Sequence, residues 1–138
     1  SDDEQYTHVT LWSLQAAPLL LGCDLTHVDE FTMNLLGNDE VIEVNQDPLG
    51  RMAGRIATRG DTQVWAKPMS DGSMAVGLFN LGDETVPVSI TWNELKLTGT
   101  QQVRDLWRQK NIGTQADGFS VDIPRHGVML IRLFPEKQ

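Results

Sequence analysis

Residues 63–79 read QVWAKPMSDGSMAVGLF, and they carry a strong β-hairpin pattern. Apolar and polar side chains alternate around Val64, which is the period of a strand with one buried face. Asp71-Gly72 favours a tight turn and separates this run from the apolar run of residues 74–79. Two β-type runs on either side of an Asp-Gly pair predict a two-residue β-hairpin.

The same period of two extends outward from the hairpin, from about residue 54 to residue 134. Further apolar runs, separated by Gly82-Asp83, Gly113, Gly118 and Gly127, cover residues 86–90, 102–107, 119–123 and 128–134. Residues 92–95 are predicted to form a helical turn within a crossing loop. About six or seven short strands with turns at this spacing are typical of an antiparallel β-sandwich.

The first fifty residues follow a different pattern. Tyr6, Val9 and Trp12 recur at helical spacing, and Pro18 ends that helix. Residues 19–23 form a continuous apolar run, as in a strand buried on both faces of a parallel sheet. Residues 31–36 predict a second short helix. Asn38 could cap a further turn over residues 41–44, although a strand there is an alternative. The order helix, strand, helix is typical of part of an α/β fold.

Composition and charge indicate which classes of ligand or binding partner the chain is suited to. The chain has 138 residues, 11 basic and 19 acidic, and a formal net charge of −8. This balance argues against binding to nucleic acid or to an anionic membrane surface. Residues 1–4 are acidic, so they predict no signal peptide. The longest apolar run, residues 16–22, is too short to span a bilayer. A neutral ligand such as a sugar is compatible with these properties.

Cysteine and histidine usage predicts neither a metal nor another cofactor. Cys23 is the single cysteine, so no internal disulfide can form. His8, His27 and His126 are scattered and lack the spacing of metal ligands. Cofactors and metals are therefore not expected.

Several motifs follow one another in the order seen in a known family. The most specific is Val-Asn-Gln-Asp-Pro-Leu-Gly at residues 44–50. The other matching positions are Glu4, His8, Leu11-Trp12 and residues 17–20, 22–25, 40–43, 64–68, 103–107 and 124–128. Together they resemble the α-galactosidase and α-N-acetylgalactosaminidase (melibiase) family of clan D glycoside hydrolases. The resemblance covers nearly the whole chain.

The resemblance implies a C-terminal fragment of such an enzyme, mainly β in class. Residues 1–50 would be the C-terminal remnant of a (β/α)₈ TIM barrel, comprising its last helix-strand-helix portion. Residues 51–138 would be the C-terminal antiparallel β-sandwich. The parent enzyme is expected to release terminal α-linked galactose from oligosaccharides or glycoconjugates. A secreted, periplasmic or lysosomal-type compartment is expected on the same ground.

The family's catalytic residues have no counterpart in this sequence. Its retaining mechanism uses two aspartates, one as nucleophile and one as acid/base. They lie in a Tyr-x-Lys-x-Asp type motif and a Trp-Arg-x-x-x-Asp type motif, and neither motif occurs here. No catalytic residue is assigned, and the isolated fragment is predicted to be inactive.

Two residues are candidates for substrate binding. Cys23 and Asp24 end the strand that resembles the eighth barrel strand, and ligands bind at that end of a TIM barrel. The alternatives are that Asp24 accepts backbone N–H groups at the strand end and that Cys23 is a small buried filler. Asp47 is interpreted as a turn and capping residue, and nothing in the spacing places it beside Asp24.

Two other roles remain open for the β-sandwich. Trp65, Trp92 and Trp107 could form a sugar-stacking surface, which would make it a carbohydrate-binding module. Tryptophans within strands more often pack in a core or against a neighbouring domain. The sandwich could then be a purely structural cover for the barrel. Residues 19–21, three leucines, predict burial within the chain or self-association, because an unpaired apolar strand templates association.

Overall fold

The structure, a computed structural model, describes Thr7, Thr10, Leu14, residues 38–45, Asp47 and residues 53–136. Thr7, Thr10 and Leu14 have helical backbone, and a short helix, α1, follows at Asp39–Asn45. Eight strands come next: β1 (Gly54–Arg59), β2 (Thr62–Pro68), β3 (Met74–Asn80), β4 (Val86–Thr91), β5 (Gln101–Asp105), β6 (Lys110–Gln115), β7 (Gly118–Ile123) and β8 (Val128–Pro135). The predicted barrel strand at residues 19–23 and the helix at residues 31–36 lie outside the described residues.

The strands form two antiparallel sheets. A six-stranded sheet has the order β1-β2-β3-β8-β5-β6, and a two-stranded sheet pairs β4 with β7. The main core fills the space between them with the inward side chains of both sheets, including Leu78, Ile90 and Ile131. These three side chains are at most 1% exposed. The predicted antiparallel β-sandwich is confirmed.

The β2–β3 hairpin differs in one detail from the expectation. Asp71 and Gly72 lie in the turn, but the loop has three residues, 70–72, and not two. The Met69 N–H donates to the Ser73 carbonyl at 2.8 Å, and the Gly72 N–H donates to the Met69 carbonyl at 3.1 Å. Gly72 has a φ of 89°, which favours glycine at the last loop position of such a turn.

Two strands do not correspond to any of the individual runs predicted from the sequence. β1 and β6 are the outer strands of the six-stranded sheet, and most of their side chains are exposed on both faces. An edge strand of this kind shows little alternation between buried and exposed residues, so the period-two signal is weak there. Each strand takes part in a pairing whose register shifts, at Ile56 in β1 and at Ile112 in β6.

The connection from β4 to β5 crosses from one sheet to the other, as predicted. Residues 92–96 form a turn in which the Leu95 N–H donates to the Trp92 carbonyl at 3.1 Å. A capping box begins the turn. The Thr91 N–H donates to the Glu94 carboxylate at 2.9 Å, and the Glu94 N–H donates to the Thr91 hydroxyl at 3.2 Å. These contacts place the Trp92 indole in the main core.

The six-stranded sheet is covered on both faces, and this property bears on function. Its outer face carries a second apolar cluster that includes Ala75, Phe79 and Leu130 from the strands and Val41 and Val44 from α1. Leu14 belongs to the same cluster and is fully buried. The segment before residue 53 therefore contacts the sandwich through buried apolar side chains.

Candidate functional site: the covered face of the six-stranded sheet

The residues proposed from sequence as the sugar site, Cys23 and Asp24, lie outside the described residues, as do His8 and His27. Their roles stay predictions. Among the residues that the structure describes, no group of three His, Cys, Asp or Glu side chains could hold a metal ion. In the same part of the chain, no helix is long and apolar enough to cross a membrane.

Asp47 is a capping residue, although the group it caps is distant in sequence. Its two carboxylate oxygens accept the Ser70 N–H at 3.0 Å each, and one accepts the Ser70 hydroxyl at 2.8 Å. Ser70 lies in the β2–β3 loop, so the contact joins the end of the α1 segment to the sheet. Asp47 is 8% exposed. The contacts agree with Asp47 as a capping acceptor, whereas the predicted turn at residues 47–50 lies largely outside the described residues.

Helix α1 begins with a side-chain cap that also binds the sheet. The Asn38 Oδ1 accepts the backbone N–H groups of Glu40 at 3.1 Å and Val41 at 3.2 Å. The Asn38 Nδ2 donates to the carbonyls of Leu106 at 3.0 Å and Trp107 at 3.2 Å. Of the two alternatives at residues 41–44, the helix is therefore correct, because Asn38 satisfies the first free N–H groups.

Ionic contacts surround the apolar centre of this interface. Two Arg104 nitrogens bind the two Glu40 carboxylate oxygens at 2.8 Å and 2.7 Å. The hydrogen bonds that Arg104 donates to Glu40, together with the charge of that carboxylate, raise the pKa of Arg104. Arg132 is 7% exposed and approaches Glu43 at 3.1 Å. The planar guanidinium favours such paired contacts with carboxylates.

The same arginine organises the β2–β3 loop. Arg132 donates to the Ser73 hydroxyl at 2.7 Å and to the Asp71 carboxylate at 2.8 Å. Burial alone would raise the pKa of Asp71, but hydrogen bonds from Ser73 and the charge of Arg132 outweigh it and lower the pKa. Asp71 thus stays ionised beside Arg132, and the hairpin loop is held against β8.

Lys67 is a buried cation in this interface. It is 1% exposed, and its Nζ donates to the Val44 carbonyl near the C-terminal end of α1. Desolvation lowers the pKa of Lys67, and the charge of Asp47 opposes this effect. A lysine at a helix C-terminus also interacts favourably with the helix dipole.

The first described residues add contacts on the same face. The Trp107 indole N–H donates to the Thr10 hydroxyl at 2.7 Å, and the Thr7 hydroxyl donates to the His126 carbonyl at 2.9 Å. A Cβ atom at Gly77 would lie 2.5 Å from Leu14 Cδ1. Gly77 therefore permits a close approach of Leu14 to β3 that an alanine would obstruct.

The three tryptophans do not form a sugar-stacking surface. Trp92 is 3% exposed in the main core, and its indole N–H donates to the Gln115 carbonyl at 2.9 Å. Trp65 and Trp107 are half-buried against the outer-face cluster with α1 and Leu14. They pack against the preceding segment, which was the structural alternative for these residues.

Comparisons with known proteins agree with this architecture. Residues 59–133 match the family model described as the α-galactosidase C-terminal β-sandwich domain. The chain belongs to the α-galactosidase family. Residues 1–47 match a second family model, described as α-galactosidase A. The resemblance inferred from the sequence motifs is confirmed.

Relatives and solved structures show what share of a full-length family member this chain covers. It is 40% identical to "Probable alpha-galactosidase" of Dictyostelium discoideum over 98% of this chain and 37% of that protein. It matches the crystal structure of α-galactosidase I from Mortierella vinacea with a TM-score of 0.92 and 33% identity, covering 99% of this chain and 36% of that one.

A structure with a different named activity is equally similar in fold. The GH27 β-L-arabinopyranosidase from Geobacillus stearothermophilus matches with a TM-score of 0.92 and 30% identity, covering 98% of this chain and 31% of that one. The chain thus spans about a third of the length of the relatives it matches. Family members with different named activities share this architecture, so it does not by itself specify the sugar.

Sequence reasoning missed the ionic contacts that join α1 to the sheet. Glu40, Arg104 and Arg132 are ordinary surface-type residues in the sequence, and only the pairing of distant strands brings them together. The motif positions 40–43 and 103–107 did indicate both partners of the Glu40–Arg104 pair, but not that they touch.

Proposed function

We propose that the chain is the C-terminal part of a retaining α-galactosidase-like glycoside hydrolase that releases terminal α-linked galactose. The observation that carries the proposal is the match of two α-galactosidase family models in succession, over residues 1–47 and 59–133. Residues 1–50 would be the end of the catalytic barrel and residues 51–138 the sandwich domain. The catalytic aspartates would come from earlier barrel strands.

Within such an enzyme, this part would serve as a structural cover. The outer face of the six-stranded sheet buries Val41, Val44 and Leu14 in one apolar cluster. A face with this composition would be an exposed apolar patch if nothing lay on it, and such patches mark interaction sites. The burial of Trp92 and the packing of Trp65 and Trp107 favour this role over that of a carbohydrate-binding module.

The substrate class follows from the named activities of the relatives. α-Galactosides and β-L-arabinopyranosides present the same ring configuration and differ in the hydroxymethyl group at C5. One arabinopyranosidase structure is described in complex with arabinose. We propose an α-galactoside-containing oligosaccharide or glycoconjugate as substrate, with Cys23 and Asp24 at the rim of its pocket.

The test uses the whole protein that contains this chain. Hydrolysis of the 4-nitrophenyl α-D-galactoside, α-N-acetylgalactosaminide and β-L-arabinopyranoside is measured side by side. We expect the highest kcat/KM on the α-galactoside, and a decrease of about tenfold or more in Asp24→Asn if Asp24 contacts the sugar. A preference for either other glycoside would overturn the proposed substrate, and no hydrolysis of any would overturn the activity.

Self-association is a separate proposal that rests on residues 19–21. Leaving three leucines in water would forgo roughly 1.5–3 kcal/mol each. In the isolated chain we expect these residues to meet a second copy unless the chain itself buries them. Light scattering at ~50 μM should then show a dimer or larger species, and Leu20→Glu should shift it to monomer. A monomer in which residues 19–21 exchange their amide protons rapidly would contradict both routes of burial.

A further inference from the structure

The register of the six-stranded sheet places three cationic residues in one row. Lys67 on β2 pairs with Ala75 on β3, Ala75 pairs with Arg132 on β8, and Arg132 pairs with Arg104 on β5. Directly paired residues in a sheet point to the same face. The row, Lys67-Ala75-Arg132-Arg104, therefore crosses four neighbouring strands on the outer face. We refer to it as the cationic row.

A row of this kind is unfavourable when nothing lies over it. Arg132 and Arg104 are opposite each other in the strand pairing, and like charges in directly opposite positions destabilise a sheet. With α1 in place, Lys67 and Arg132 are also nearly inaccessible to water, with exposures of 1% and 7%. Buried cations require carboxylate or carbonyl partners to be stable.

The segment that covers the row supplies partners of the opposite charge. Glu40 binds Arg104 through two hydrogen bonds, and Glu43 binds Arg132. The Val44 carbonyl accepts the Lys67 ammonium, and Asp47 lies close enough to oppose the fall in the pKa of that lysine. Glu40 and Glu43 of the helix therefore each face an arginine of the sheet.

The apolar residues beneath the helix cannot fix its position by themselves. Val41 and Val44 of α1 belong to the same apolar cluster as Ala75, Leu106 and Leu130 of the sandwich. Apolar contact is non-directional, whereas paired charges penalise a wrong register. The row extends across the sheet, so a shift or reversal of the helix would remove its acids from the arginines.

We propose that the cationic row is a recognition surface for an acidic amphipathic helix, that α1 of this chain is its occupant, and that the charges set the register at which the helix docks. In the proposed enzyme this would position the sandwich on the end of the barrel. That placement rests on the proposed function, but the docking itself does not, and its test needs no activity. Failure of the glycosidase assay and failure of the docking test are therefore distinguishable.

A charge exchange between helix and sheet tests the proposal in the full chain. Arg104→Glu and Glu40→Arg each place like charges together, and the double variant restores an opposite pair. Amide hydrogen exchange reports the local opening of α1 and of the strands separately. We expect exchange in residues 41–45 to increase about tenfold or more in each single variant and to return to within about threefold of the original in the double variant.

The chain provides a matched control in the Arg59–Glu94 ion pair, which joins β1 to the turn after β4 and involves no residue of α1. Arg59→Glu should leave exchange in residues 41–45 unchanged.

Unchanged α1 exchange in Arg104→Glu, or a double variant whose α1 amides exchange as fast as in the single variants, would overturn the proposal. If Arg104→Glu also opens β3 and β8, Arg104→Gln is measured instead. Arg104→Gln should raise amide exchange in α1 about threefold or more while the strands stay protected. If exchange in α1 does not increase in this variant, the proposal is overturned.

Discussion

The 138-residue chain by itself is expected to release no 4-nitrophenol from 4-nitrophenyl α-D-galactopyranoside. The retaining mechanism needs a nucleophile and an acid/base, and the two motifs that carry them in the family do not occur in this sequence. Loss of a catalytic nucleophile or base alone lowers kcat by ~10⁴–10⁶-fold. The loss of both, with most of the pocket, should leave nothing above the buffer rate.

The measurement follows absorbance over hours at high chain concentration, with the whole protein at a thousandfold lower concentration as the positive control. The chain must be shown to be folded, for example by protected amides in β3 and β8. Release that scales with the concentration of the folded chain and persists through further purification would contradict the expectation. It would also require a catalytic pair among residues that the family does not use.

Much of the sandwich could be predicted from the sequence because its inner strands carry regular apolar patterns, either alternating or continuous. β4 alternates between buried and exposed side chains, as a half-buried strand should. β2 alternates only as far as Ala66, because the neighbouring Lys67 is also buried. β3 is buried at nearly every position, since α1 and Leu14 cover its outer face. Its sequence is accordingly a continuous apolar run rather than an alternating one. The fold class was therefore predictable. The family resemblance also accounts for the covered outer face of the six-stranded sheet, because it implies that residues 1–50 belong to a preceding barrel.

The edges and the charged contacts were not predictable, for different physical reasons. β1 and β6 bury little, so their sequences lack a hydrophobic period. The cationic row depends on the register between strands that are distant in the sequence, as Lys67 and Arg104 are. No local pattern in the sequence indicates how those strands are aligned with each other. The candidate sugar residues Cys23 and Asp24 remain predictions from the resemblance.

Replacing Trp92 by alanine is expected to destabilise the sandwich by about 3–5 kcal/mol, the usual cost of removing a buried tryptophan. The side chain is 3% exposed and packs in the main core at the point where the chain crosses between the two sheets. A domain of this size is typically stable by only about 5–15 kcal/mol. Trp92→Ala should therefore lower the urea midpoint markedly or prevent folding.

Two further variants separate packing from hydrogen bonding and from surface effects. Trp92→Phe keeps most of the buried ring but loses the hydrogen bond to the Gln115 carbonyl, so a smaller loss of about 1–2 kcal/mol is expected. Trp65→Ala removes a half-buried indole from the outer face and should cost less than Trp92→Ala. Each free energy of unfolding is obtained from urea titrations monitored by circular dichroism. If Trp92→Ala unfolds within 1 kcal/mol of the original chain, the indole does not support the core.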